Sequence, residues 1–328
     1  MENAKKSSVL YVLDILNQYT DSNHCLTYAD IANKLSSLYG IDIERKTIAR
    51  DIDILLFKGY DIVKRGNLGV YLASRNFEEG ELLYLIDAIY SSRSIPTKYA
   101  KDLVGKLTSD YSIYDKKRYN YLEKLDDDSK TDNKQLFYTI EVINEAIEKG
   151  KKVEFQYSAY GLNKKLELKY DGKKFKINPY YMVNNHGKYY LVCNYDKYDN
   201  LANYKIECIS NIKIIDEPIR PLSSIPGQEN FSIKQYMKEH IYMVAGNSVN
   251  ATIKIDDKKR INDIIGWFGD GLSIYTQCNQ IYATLTVNEE ALVYWALQYG
   301  EHVEVVSPQS TRDKIKNMLI QLNKKYGE

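Results

Sequence analysis

Several features are absent from this sequence, and each absence closes off a class of protein. Cys25, Cys193, Cys208 and Cys278 are scattered with no CxxC spacing, which argues against a disulfide framework and against a zinc site and leaves thiols that are free and mostly buried. No run approaches the ~18 consecutive apolar residues of a membrane span, and the lysines near the N-terminus are followed by no signal-like apolar stretch, so a cytoplasmic protein without membrane contact is expected. The formal net charge is only +1, so any nucleic-acid surface has to come from local clusters. Catalytic signatures are missing as well: His24, His186, His240 and His302 lie far apart, and neither HExxH nor GxSxG occurs. No cofactor is implied, and a non-enzymatic protein is expected.

What remains is a chain of ordinary globular composition. Its 328 residues exceed one comfortable core and predict a multidomain α+β protein. Tyrosine dominates the aromatics, 31 against 7 Phe and 2 Trp, but Tyr, Lys, Asn and Ile share A/T-rich codons, so a tyrosine counts only in a specific context.

Residues 1–75 read as three helices and a hairpin. Val9, Leu10, Val12, Leu13 and Leu16 form one apolar stripe, and Ile31, Ala32, Leu35 and Leu38 a second behind the N-cap Thr27, with Asp30 three residues on and Gly40 as a stop. A third helix over residues 42–57, capped by Asp42, buries Ile48, Ile52, Leu55 and Leu56 and turns Lys46 and Arg50 outward with Thr47 on the shoulder. Two short strands flank the turn 66–69. This is a winged helix-turn-helix layout.

Residues 76–150 read as a helical linker or dimerisation region, interrupted by a polar stretch through Asp126, Asp127 and Asp128 that suits a solvated linker better than a metal site. From Lys152 the apolar period switches to two, and residues 151–217 read as the strands of a small β-barrel, with a hairpin turn at 184–187 that His186 merely occupies. A connector over 218–248 leads to residues 249–328, whose βαββαβ order with a terminal helix predicts a ferredoxin-like fold.

Three motifs in this order resemble the WYL-domain transcriptional regulators. Thr47-Ile48-Ala49-Arg50-Asp51-Ile52 matches the recognition-helix pattern of that family, Tyr189-Tyr190-Leu191 stands at its naming Trp-Tyr-Leu, and residues 294–300 and 303–308 are similar to its C-terminal extension. The resemblance implies a bacterial or phage regulator, commonly a homodimer, with an SH3/Sm-like WYL barrel that senses a ligand, for which nucleic acid or an oligonucleotide is the recurring proposal. The family's Phe-Arg-Leu-Asp-Arg-Ile reads Tyr204-Lys205-Ile206-Glu207-Cys208-Ile209 here. A lysine supplies no planar fork for a phosphate, and a cysteine supplies no charge.

The expected partner is therefore a double-stranded DNA operator. Lys46 and Arg50 are the candidates for base edges or phosphates, and Thr47 for a thymine methyl or a phosphate. Arg45, leaning toward the core side of its helix, is expected on a phosphate, with Lys64, Arg65 and Asn67 of the hairpin touching backbone or minor groove. Asp51 and Asp53 are expected to orient neighbouring cations.

For the barrel, Tyr157, Tyr180, Tyr189, Tyr190, Tyr204 and Lys205 are the ligand candidates, with Tyr190 and Lys205 favoured. Eight lysines between Lys151 and Lys176, interleaved with Tyr157, Tyr160 and Tyr170, resemble either a single-strand-binding surface or the protective charges of an edge hairpin. An accessory protein that binds single-stranded RNA or DNA through the barrel, modulating a defence or repair effector, is the alternative.

Overall fold

A computed structural model describes residues 7–73, 75–118, 130–131 and 133–327, so Asp126, Asp127 and Asp128 lie outside the described residues. The chain is a mixed α+β protein of two compact units, Met1–Lys130 and Thr131–Glu328.

The first unit opens with α1 (Ser8–Tyr19), α2 (Tyr28–Tyr39) and α3 (Arg45–Phe57). Their stripes meet in one core of Val12, Ile15, Leu16, Ile31, Leu35, Ile48, Ile52 and Leu55, while Leu10, Leu38 and Leu56 at the stripe edges stay exposed. Thr27 and Asp30 form the reciprocal capping box of α2, and Gly40 ends that helix in the left-handed conformation. The third helix starts at Arg45, three residues later than the expected Asp42, and Glu44 takes the cap position. The reason lies in Ile41 and Ile43. Two apolar residues two apart share a face only in extended chain, and both pack on the core.

Strands β1 (Ile62–Lys64) and β2 (Val70–Leu72) pair antiparallel, and Leu26 and Val70 exchange backbone hydrogen bonds of 3.0 and 2.8 Å. That bridge ties the hairpin to the entry of α2. Helices α4 (Glu79–Ser91), α5 (Thr97–Leu107) and α6 (Ile113–Arg118) follow, with Leu82, Ile86 and Tyr111 as a smaller core.

In the second unit α7 (Leu136–Glu148) packs on strands β3 (Lys151–Tyr160), β5 (Lys174–Asn185) and β8 (Ile209–Pro218), so the residues expected as one linker, 76–150, are divided between the two units. With β4 (Leu166–Leu168), β6 (Lys188–Asn194) and β7 (Leu201–Lys205), these strands form an antiparallel sheet ordered β4-β3-β5-β6-β7, with β8 on the other edge of β3. Val153, Phe155, Ile177, Leu191, Cys193 and Ile209 are its alternating buried positions.

After α8 (Ile233–Glu239) come β9 (Ser248–Ile255), α9 (Ile261–Phe268), β10 (Leu272–Gln277), β11 (Gln280–Asn288), α10 (Glu289–Gln298), β12 (Val303–Ser307) and α11 (Gln309–Tyr326). The four strands make an antiparallel sheet ordered β10-β11-β9-β12 over a core centred on Trp295, which is fully buried against Phe268. No helix among the described residues is long and apolar enough to cross a membrane.

Candidate nucleic-acid interface and aromatic cluster

Burial fixes the orientation of α3. Ile48, Asp51, Ile52 and Leu55 face inward, while Arg45, Lys46 and Arg50 are exposed and Thr47 is half-buried. Arg45 therefore does not lean on the core as its helical angle suggested. It helps line a cavity of about 540 Å³ with Thr27, Tyr28, Lys64, Gly66 and Asn67, bringing the start of α2, the start of α3 and the hairpin to one groove. Thr27, expected only as a helix cap, and Tyr28 were not among the expected interface residues, because nothing in their local pattern marks the fold-back of the hairpin onto α2.

The two aspartates part ways. Asp53 receives the Lys64 ammonium at 3.1 Å, orienting a cation as expected. Asp51 does not. It is buried and accepts a 2.5 Å hydrogen bond from Ser8 Oγ, so it ties α3 to α1. Arg65 is exposed but engaged within its own unit: Nη1 donates to the Ser22 carbonyl at 2.6 Å, and the guanidinium lies 4.8 Å from the centre of the Tyr71 ring. Asn67 stays exposed at the turn.

The six-stranded sheet separates its candidate tyrosines into two groups. Tyr204 meets Tyr157 edge-on at 4.9 Å, lies 5.3 Å from Phe155 and 6.0 Å from Phe175, and shares a 2.5 Å hydroxyl–hydroxyl hydrogen bond with Tyr195. Burial pushes the phenols of Tyr157, Tyr195 and Tyr204 above their ordinary value, so these rings are uncharged at neutral pH.

Tyr180 and Tyr190 join a different, buried cluster with Val192, Leu201, Ile225, Tyr236 and Met243, and the Tyr180 hydroxyl donates to the Arg220 carbonyl at 2.7 Å. The connector residues Ile225, Tyr236 and Met243 cover that face, so Tyr190 is not an open ligand-facing ring. Tyr189 and Lys205 are half-buried and belong to neither ring group. Phe175 and Tyr195 were missed, since neither stands out from the alternation around it.

The lysine cluster is also divided. Lys151 reaches Asp216, Lys152 reaches Asp196 and Glu217, Lys174 reaches Glu154, and Lys176 reaches Glu217. Lys164, Lys165, Lys169 and Lys173 are exposed, with no carboxylate within 4.0 Å among the described residues, and Lys173 Nζ stands 5.7 Å from the Phe175 ring centre. Beside them Tyr170, Asp171 and Gly172 are consecutively left-handed, at φ of 54°, 52° and 73°. For the first two this costs roughly 1–2 kcal/mol each. The Gln156 amide holds the turn through the Gly172 carbonyl at 2.7 Å, and the exposed Tyr170 ring sits edge-on to Phe175 at 5.7 Å. Neutral rings flanked by unmatched cations can stack on bases while the cations follow phosphates.

Residues 138–214 match the WYL domain family and residues 280–322 the WCX domain family. The chain carries a WYL domain. The WYL match runs from α7 to β8 and takes in Tyr157, Phe175, Tyr195 and Tyr204, and the WCX match runs from β11 into α11. No curated protein matches the chain. Among solved structures it is similar to proteasome accessory factor B/C of Arthrobacter aurescens, at 13% identity and a TM-score of 0.29. The similarity covers 98% of this chain and 49% of that one, so the WYL-domain protein spans about half its length. A CRISPR Cas-related protein is similar at 14% identity and a TM-score of 0.38, covering 98% of this chain and 85% of that one.

Proposed function

We propose that this WYL-domain protein is a cytoplasmic, non-enzymatic, homodimeric transcription regulator that binds duplex DNA through α1–α3 and the β1–β2 hairpin, used as a winged helix-turn-helix, and senses a ligand through the WYL domain. The carrying observation is the outward row of Lys46 and Arg50 on α3, flanked by the groove of Arg45, Lys64 and Asn67. The fold supports the reading: the WYL strands suit an SH3/Sm-like barrel, and the antiparallel order β10-β11-β9-β12 suits a ferredoxin-like domain. A dimer would take half-sites about one DNA turn, ~34 Å, apart or a multiple of that.

The test is capture of genomic DNA fragments by the purified protein, followed by the Lys46→Ala, Arg50→Ala double variant on the captured site. Loss of affinity of about 10- to 100-fold per base-contacting cation is expected. Unchanged duplex binding would remove the mechanism.

The aromatic cluster with its unmatched lysines favours a second reading, an accessory protein that binds single-stranded RNA or DNA through the barrel to modulate a defence or repair effector. Tyr170→Ala separates the two. It weakens single-strand binding in both readings, but leaves duplex binding intact only where the winged helix does that work.

A further inference from the structure

The outer row of α3 does not end with its cations. At ~100° per residue Lys46, Arg50, Asp53 and Phe57 fall within about 60° of one another, directly opposite buried Ile48, Ile52 and Leu55. Phe57 is 90% exposed and Ile54 beside it is 41% exposed. The row therefore runs from cationic to apolar over about 16 Å of helix. Asp53, the acid within it, is already matched by Lys64 at 3.1 Å, so the face carries no unmatched negative charge toward a polyanion.

We propose that Phe57, with Ile54 at its flank, reads the 5-methyl group of thymine in the major groove. A phenyl ring has no donor for a phosphate and none for the polar edges of the bases. Thymine alone among the four bases presents a methyl group there, and apolar side chains recognise it by contact. A parallel two-fold contact with a second copy of this chain through the whole row would bring Lys46 and Arg50 of both copies together. The assignment rests on the duplex-DNA reading and adds the base chemistry that the distal half of α3 selects.

The experiment uses the full-length protein and a captured duplex, prepared once with thymine and once with deoxyuridine at every thymine position, which keeps the pairing and removes only the methyl groups. Wild type is expected to bind the deoxyuridine duplex about fourfold more weakly per contacted methyl. Phe57→Ala is expected to bind both duplexes alike, near the wild-type level on deoxyuridine, and Phe57→Leu to retain part of the preference. Comparing the proteins removes any effect of deoxyuridine on duplex shape.

Wild type indifferent to the methyl group, or Phe57→Ala discriminating as strongly as wild type, overturns the assignment while leaving duplex binding standing. A Phe57→Ala protein that keeps the preference and changes its sedimentation places the ring against protein, which also overturns it. Absence of binding to any duplex removes the DNA reading and this assignment together.

Discussion

Asp21 shows how one side chain in the first unit couples the fold to pH. It is buried and accepts hydrogen bonds from the backbone N–H groups of Asn23 and His24 at 2.8 and 3.0 Å, from His24 Nδ1 at 2.8 Å, and from Ser112 Oγ at 3.2 Å. Burial pushes its carboxyl upward, but the hydrogen bonds and the His24 ring outweigh it and hold the group below the ordinary carboxylate value. A folded-state value below the unfolded ~3.9 means that the contribution is present above that pH and is lost as pH falls through the folded value. Asp21→Asn is therefore expected to lower the urea midpoint at pH 7, with the gap to wild type closing below about pH 4. A gap that stays constant across that range would show the carboxylate charge to be irrelevant. Basic pH works on the second unit in the opposite sense. Burial raises Tyr180 and Tyr236 to about 12, so their contribution is full below the unfolded value of ~10 and fades as pH rises through 12.

At the level of elements, the hairpin that completes the candidate DNA surface depends on a single close approach. Gly69 has φ of 103°, and a Cβ there would lie 2.1 Å from the Leu26 carbonyl oxygen, the atom that accepts from Val70 N–H. Gly69→Ala is expected to destabilise the first unit by more than about 1 kcal/mol in urea unfolding. Gly66→Ala, at φ of 52° with open space around it, should cost less. Local pattern made much of this architecture legible: the core stripes of α1–α3, the Thr27 cap, the Gly40 stop, and the β5–β6 turn, where His186 and Gly187 are both left-handed. The start of α3 was misread because Asp42 looks like a cap, whereas the burial of Ile41 and Ile43 decides that the chain stays extended. The fate of the residues on β3–β8 was not legible for a different reason. Asp196, Asp216 and Glu217 neutralise lysines more than 40 residues away, and the connector covers Tyr180 and Tyr190 from beyond β8. Such long-range pairings leave no period in the sequence.

For the whole molecule, 45 basic and 44 acidic side chains nearly cancel, so attraction to DNA has to be a property of place. Beyond the Debye length, ~8 Å at physiological salt, exposed charges hardly act, and a chain of net charge +1 exerts little steering field. The salt dependence of duplex binding should then count contacts and not total charge: the slope of log K against log salt is about −0.9 per neutralised phosphate. Replacing both Lys46 and Arg50 with alanine is expected to make that slope shallower by up to ~1.8, and by about half as much where one of the two contacts a base edge. Lys152→Ala and Lys176→Ala remove the same formal charge from lysines already held by Asp196 and Glu217, and should leave the slope unchanged. Titrating duplex binding by fluorescence anisotropy from 50 to 300 mM salt distinguishes these cases. Equal changes in slope from both pairs of substitutions would mean that DNA responds to the net charge of the chain, and would count against docking through the outer face of α3.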